Sequence, residues 1–470
     1  MTLQEVLIES KDYSDKKAWL VLSFFSVSVL FLSTIALSRY TLILIPVLAF
    51  LTGLYLYFRS PILYVSFSFW MHFVSSEVQR FVDYRLGTFN SGYLVFTSNL
   101  VMLIAAITFF KNIAKVSIKE SLPFNLVLFA SFYSVFISLI KSPPQDFLLV
   151  DQVPGLVGPI FFGFHCYCNW KYYAGYKKIL ESTFMWGAIV LGIYGIIQFI
   201  FAPSWDRHWL NATKKWSYGI PEPFGIRVWS GTSSFQVFAI TCFIALLILL
   251  YKSDWFLRFP GIGVITLGIL LTQARAAWIS GVIACVIFLS RLKSKAQIRI
   301  IVIVLCLTIV ITFIVLSNPI LYELVLSRLG SLTETNNDLS LNIRKDFYRT
   351  YLDTALSQII GIGLAGSIDL SGFILSDAPL FIYMFYFGWI GIIPYFLGIL
   401  LLVFRLCSFH TIAVDNFFLV SKALAIGLVS MIGFNNILMG TLGFYLWGFI
   451  GLSLAGLKYD RYISNLKAQY

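Results

Sequence analysis

The sequence predicts an all-α integral membrane protein with about 14 transmembrane helices (12–14), and three observations carry that prediction. The chain is 59% hydrophobic and only 12% charged over 470 residues, whereas an ordinary soluble domain is about 45–50% apolar and about 25% charged. Its mean hydropathy is +0.85. Apolar stretches near the ~20-residue length of a spanning helix recur along the whole chain. A composition this poor in charge leaves too little polar surface for a soluble globule, a disordered chain or a secreted disulfide scaffold.

The candidate spans fall at 18–38, 41–58, 61–76, 93–110, 123–140, 154–169, 180–202, 232–251, 259–273, 276–290, 300–317, 379–404, 417–435 and 437–457. Three of them, 61–76, 259–273 and 276–290, are short, which is why the count is given as a range. Residues 1–470 read as a single polytopic membrane domain without repeats or low-complexity tracts. With the N-terminus inside, 21 of the 34 Lys and Arg residues fall on the inner side, and every short inner loop carries at least one. The positive-inside tendency therefore predicts an N-in, C-in chain, and most of the +12 formal net charge is an orientation signal rather than a nucleic-acid footprint. Glu5, Glu9, Asp12 and Asp15 speak against a signal-peptide n-region in the first 17 residues.

Two long loops are expected outside, 203–231 and 318–378. The first concentrates Trp205, Trp209, Trp216, Tyr218 and Trp229, which suit either interfacial anchoring or the faces of sugars. In the second, Tyr348, Leu352, Ala355, Leu356 and Ile359 repeat at helical spacing, predicting an amphipathic helix over about 343–359 with one face on the membrane. Gly361 and Gly363 stop it.

Mid-span Asp, Glu, Lys and Arg are missing, and the charges that touch spans, such as Glu181 and Lys422, lie near their ends. An ion-coupled transporter usually needs acids near the midplane, so chemistry is expected at an interface. The external arginines are the leading candidates: Arg80 and Arg85 after the third span, Arg207 and Arg227 in the first loop, Arg275 in a tight outer turn, and Arg344 and Arg349 on the loop helix. A lone Arg in a short outer loop runs against the positive-inside tendency, and its planar fork binds phosphate through two hydrogen bonds. Cys166, Cys168 and His165 do not make a metal site of known spacing. His72 and His208 also lie near the outer face.

Four stretches resemble the bacterial O-antigen polymerase and O-antigen ligase superfamily over most of the chain, and a fifth, the last named below, is similar to a motif after an early span in some exopolysaccharide polymerases. They are Leu271-Thr-Gln-Ala-Arg275-Ala-Ala-Trp278, Phe224-Gly-Ile-Arg227-Val-Trp-Ser-Gly231-Thr, the run from Arg344 to Gly361-Ile-Gly363, Asp377-Ala-Pro-Leu-Phe-Ile-Tyr383 with Phe387-Gly388-Trp-Ile-Gly391, and Glu77-Val-Gln-Arg80-Phe-Val-Asp83-Tyr-Arg85. The resemblance implies a membrane-embedded, GT-C-like inverting glycosyltransferase of the bacterial cytoplasmic membrane, working on its periplasmic or external face. It implies a metal-independent reaction without a cofactor, in which glycan leaves a polyprenyl diphosphate for a lipid-linked repeat unit. Arg275 and Arg344 would stabilise the leaving diphosphate and Asp377 would be the base, with Arg227, Arg349, Arg80 and Arg85 contacting substrate. Ligases of the superfamily typically carry His where this chain has Asp377, which favours a polymerase over a ligase that moves glycan to a lipid core or protein. Partners implied are the lipid-linked oligosaccharide, membrane lipid, and a chain-length regulator and flippase of the same pathway, with no nucleic acid. A lipid-linked oligosaccharide flippase is the rival from another class.

Overall fold

The computed structural model describes residues 15–35, 40–89, 94–141, 147–252, 256–317, 319, 322–323, 339–364, 379–408 and 415–469. The described chain is helical and, in its described part, contains no β-strand. In order, the α-helices are α1 (Lys16–Ile35), α2 (Thr41–Arg59), α3 (Pro61–Leu86), α4 (Phe96–Leu103), α5 (Ala106–Asn112), α6 (Ile118–Lys141), α7 (Phe147–Cys168), α8 (Tyr173–Phe201), α9 (Ser204–Thr213), α10 (Phe235–Tyr251), α11 (Arg258–Thr272), α12 (Arg275–Leu289), α13 (Ser294–Ser317), α14 (Leu339–Leu356), α15 (Pro379–Ser408), α16 (Asn416–Val429) and α17 (Gly440–Gln469).

Among the described residues, six stretches can cross a bilayer by length and composition: α1, α2, α6, Trp170–Phe201, α15 and Gly440–Leu466. Further apolar helices, among them α10, α11, α12 and α16, are shorter. Their outward surfaces fit lipid. On α15, Ile390, Ile393, Leu397, Leu400 and Phe404 are all exposed and recur every three or four residues, one continuous apolar stripe that water would not tolerate. α1 exposes Leu20, Phe24, Val27, Leu30 and Phe31 in the same manner. The interior is aromatic instead. Phe69 of α3, Phe162 of α7, Phe184 of α8 and Phe444 and Phe449 of α17 meet with ring centroids 4.5 to 6.3 Å apart, binding four helices into one core.

Several boundaries differ from those expected. The stretch 93–110 is two helices, α4 and α5, separated at Ile104–Ala105, where the backbone tightens to i→i−3 bonds. The Tyr64 hydroxyl donates to the Val101 carbonyl at this break (3.0 Å), so a polar group inside the bundle stays satisfied. α3 extends ten residues past 76 to Leu86 because Gln79, Arg80 and Asp83 are buried rather than solvated. The loop 203–231 contains an unexpected helix, α9, and the loop helix expected at 343–359 runs from 339 to 356.

Charge pairs join the helices. Glu181, buried on α8, takes a hydrogen bond from the Tyr251 hydroxyl (2.6 Å) and pairs with Lys252 at the end of α10. Lys458 of α17 meets Glu120 of α6 at 3.3 Å, and Lys177 meets Asp415 at 3.6 Å. The buried Glu181 pair ties α8 to α10 at the end opposite the loop 203–231.

Candidate functional site

The loop 203–231 packs against α3 and against the turn between α11 and α12. α9 lies against α3, and its Asp206 is fully buried beside Arg80. The Arg80 side chain is 2% exposed. Its Nε pairs with Asp206 (2.8 Å), its Nη2 pairs with Glu77 one turn earlier, and its guanidinium donates to the carbonyls of Ser230 and Thr232. The indole of Trp229 lies 5.6 Å from its guanidinium carbon. The second oxygen of Glu77 accepts from Trp205 Nε1 (2.6 Å), and Asp206 accepts from the Tyr194 hydroxyl (2.7 Å).

The loop then forms a tight hairpin in which Gly219 and Ile226 pair antiparallel and the Arg227 amide donates to the Tyr218 carbonyl (3.0 Å). Its aromatics pack among themselves: Trp209, Tyr218, Trp229 and Phe235 have centroids 5.1 to 5.4 Å apart. Trp229 and Tyr218 are buried, so these two rings hold the loop together rather than line an open sugar platform. The Trp216 side chain lies outside the described residues.

The hairpin is fastened to the turn between α11 and α12. The Val228 amide donates to the Leu271 carbonyl (3.2 Å). Arg227 stacks on Phe235, 3.8 Å from guanidinium carbon to ring centroid, and donates to the carbonyls of Ser217 (2.8 Å) and Gln273 (2.9 Å). Gln273 has a left-handed backbone (φ 52°); two residues later α12 starts with a half-buried Arg275. A cation is normally disfavoured at a helix N-terminus, which is itself electropositive. The arginine and the helix end therefore add their fields toward the same ligand type, an anion.

A second group is built on α14 and α15. Phe347, Tyr348, Tyr351 and Ala355 of α14 pack on Phe381 and Phe385, with Phe347 and Tyr348 rings 5.6 and 4.6 Å from Phe381. The expected amphipathic face is thus divided. Ala355 is buried, Tyr348 is partly covered by α15, and Leu352, Leu356 and Ile359 remain exposed. Arg349 is exposed on α14. The Arg344 backbone is in the same helix, but its side chain, like the whole of Asp377, lies outside the described residues. Asp377 precedes by two residues the Pro379 that opens α15.

α15 is broken at Gly388 (φ 55°, ψ −176°), and the chain leaving α14 fills the break. The Trp389 and Ile390 amides donate to the carbonyls of Gln358 (3.0 Å) and Ile359 (3.2 Å), and the Ile362 amide donates to the Phe385 carbonyl (2.7 Å). Lys141 Nζ and the Tyr133 hydroxyl, both on α6, donate to the carbonyls of Gly361 (2.7 Å) and Ile360 (2.9 Å). The motif glycines thus have a physical reason. A β-carbon on Gly361 would sit 2.6 Å from the Gly388 nitrogen, and one on Gly388 would sit 2.4 Å from the Gly361 nitrogen.

Both groups meet the segment between α16 and α17. Asn435 accepts from Gln236 of α10, next to Phe235, through its side chain (3.5 Å), and from Tyr383 of α15 through its carbonyl (3.2 Å). The structure therefore links Arg80, Arg227 and the Arg275 turn in one set of contacts, and connects that set to α15 and the helix bearing Arg344 and Arg349. Arg85 is set apart: it is exposed and donates to the Thr34 carbonyl of α1 (3.0 Å). Of the two histidines, His72 is buried against Thr441 of α17 (3.1 Å), and His208 meets the Thr88 carbonyl (3.1 Å). Sequence reasoning missed Asp206, Gln273 and Asn435, which act through long-range contacts. Glu77 at i−3 from Arg80 was the one partner whose spacing could have revealed it.

No curated protein and no solved structure matches the chain. A family model described as O-antigen ligase matches residues 260–387, a segment that begins in α11, contains Arg275, Arg344, Arg349 and Asp377, and ends one residue before the break in α15. This match over residues 260–387 agrees with the O-antigen ligase and polymerase superfamily that the motifs of the chain resemble.

Proposed function

We propose that the protein is a polysaccharide polymerase. It transfers glycan from a polyprenyl diphosphate donor to a lipid-linked repeat unit, on the outer face of the bacterial cytoplasmic membrane and without a metal ion. The observation that supports this reading most is the placement of Arg275. It opens α12 within the matched segment, at a turn held by Arg227 through Gln273. In the reaction an acceptor hydroxyl oxygen attacks the anomeric carbon, its proton passes to the Asp377 carboxylate, and the bond from that carbon to the diphosphate oxygen breaks with its electron pair on the leaving group. The configuration at the anomeric carbon inverts. Negative charge gathers on the diphosphate, where a fixed guanidinium and a helix N-terminus stabilise the transition state without reorganising. Arg344 and Arg349, carried on α14 beside the start of α15, are the further cations proposed for the donor, and Asp377 is the base assigned to the acceptor. The exposed Leu352, Leu356 and Ile359 suit contact with the lipid of donor and bilayer. A chain-length regulator and a flippase are the expected pathway partners.

A ligase is the second reading, favoured by the description of the matching family model. A deletion strain separates the two. Loss of the polymerase is expected to leave single repeat units on the surface acceptor, scored by gel electrophoresis of extracted glycolipid. Full-length polymer stranded on its carrier lipid would instead identify a ligase.

A further inference from the structure

We infer that Arg80 is a positioning residue: it fixes the turn 229–232, and through that turn the Arg227 contact that holds Arg275. This inference rests on the glycosyl-transfer reading only in its effect on turnover; the mechanical role stands on contacts alone. Arg80 is buried, and its guanidinium is engaged by two carboxylates, two backbone carbonyls and an indole face. A group so enclosed has no fork to offer a diphosphate. What it grips is a costly piece of backbone. Ser230 is a non-glycine residue in the left-handed region (φ 52°), a conformation that is strained for a residue with a β-carbon and persists only where surroundings over-determine it. Its amide donates to Gln198 Oε1 (2.9 Å), its hydroxyl to the Leu191 carbonyl (2.6 Å), and its carbonyl accepts from Arg80. Next in the chain, Gly231 lies so close to α3 that a β-carbon would sit 2.9 Å from the Phe73 carbonyl.

From this turn the effect runs in both directions along the chain. Upstream, Arg227 and Val228 bond to Gln273 and Leu271 of the Arg275 turn. Downstream, Ser234 caps α10 by accepting from the Val237 amide (3.2 Å), which sets Phe235 beneath Arg227. The charge balance fits a positioning role better than a stabilising one. One guanidinium faces two carboxylates, and taking the buried Arg80 and Asp206 out of water is rarely repaid by their attraction.

Hydrogen–deuterium exchange of the detergent-solubilised, substrate-free protein tests this, together with steady-state transfer kinetics. Arg80→Lys keeps the charge but cannot reach both carbonyls and both carboxylates. Amides 228–232 and 273–275 are expected to exchange about tenfold faster, the change that follows loss of a charge-assisted hydrogen bond. The aromatic core of α3, α7, α8 and α17 should keep its protection, and kcat should fall with KM little changed. Wild-type exchange at 228–232, with only KM raised, overturns the inference and makes Arg80 a substrate ligand. If Arg80→Lys does not insert, the triple variant Glu77→Gln, Arg80→Met, Asp206→Asn decides. It removes all three charges together, and is expected to melt like wild type while the turn still exchanges faster; unchanged exchange in it overturns the inference equally. A loosened turn alongside full activity of Arg275→Lys would leave the positioning role intact and remove the reading of the reaction instead.

Discussion

Replacing Gly388 by alanine is expected to abolish transfer and to lower stability by about 3 kcal/mol, the scale of a side chain forced into a glycine-only backbone region together with a clash. Two effects add. With φ 55° and ψ −176°, Gly388 occupies a region that residues with a β-carbon scarcely enter. Its added β-carbon would also lie 2.4 Å from the Gly361 nitrogen and 2.5 Å from the Ile359 carbonyl oxygen. Both obstacles are backbone, so no rotamer change relieves them. The segment 357–362 would have to withdraw, leaving the Trp389 and Ile390 amides without the carbonyls of Gln358 and Ile359. Unpaired amides on so apolar a helix are expensive, and α14, with Arg344 and Arg349, would lose its seat on α15. Thermal unfolding in detergent and transfer by the purified variant measure the two effects. Gly263→Ala in α11, where nothing lies within 4 Å of the added β-carbon, is the control and should behave as wild type.

Arg275→Lys carries the second large effect. It should insert and melt normally, because Arg275 is only half-buried at a helix end, yet lose transfer about 100-fold or more. That is the magnitude seen when one preorganised donor to a developing oxyanion is removed. Charge alone does not explain so large a loss, since lysine keeps it. What lysine lacks is the planar fork that meets two phosphate oxygens at once. The loss should fall on kcat more than on KM, because the bond strengthens as charge builds on the leaving diphosphate. Steady-state rates with a synthetic prenyl-diphosphate donor check this, and near-full activity would remove the two-pronged phosphate contact.

The elements most legible in the sequence were those that answer to a local pattern. Long apolar runs became α1, α2, α6 and α15 within a few residues of their expected ends, and the spacing of Tyr348, Leu352 and Ala355 located α14. What hydropathy missed was decided by distant contacts. The extra turns of α3 exist because Arg80 finds Asp206, 126 residues away, so polar residues could be buried where a hydropathy scan ends the helix. The division of 93–110 into α4 and α5 accompanies a hydroxyl on α3. The break in α15 was written in its glycines, but the reason for it lies on another segment, where Gly361 crosses Gly388. The arginines were readable as a set and not by role: composition does not distinguish Arg80, enclosed by carboxylates, from Arg275 at the start of α12.

The most direct test of the account places the purified protein in proteoliposomes with prenyl-diphosphate-linked repeat units as both donor and acceptor, in the presence of a metal chelator. The products are followed by mass spectrometry. A polymerase is expected to give a ladder of lipid-linked glycans lengthening by whole repeat units, with one prenyl diphosphate released for each bond formed. Repeat units that stay single, or that only change leaflet, would contradict it.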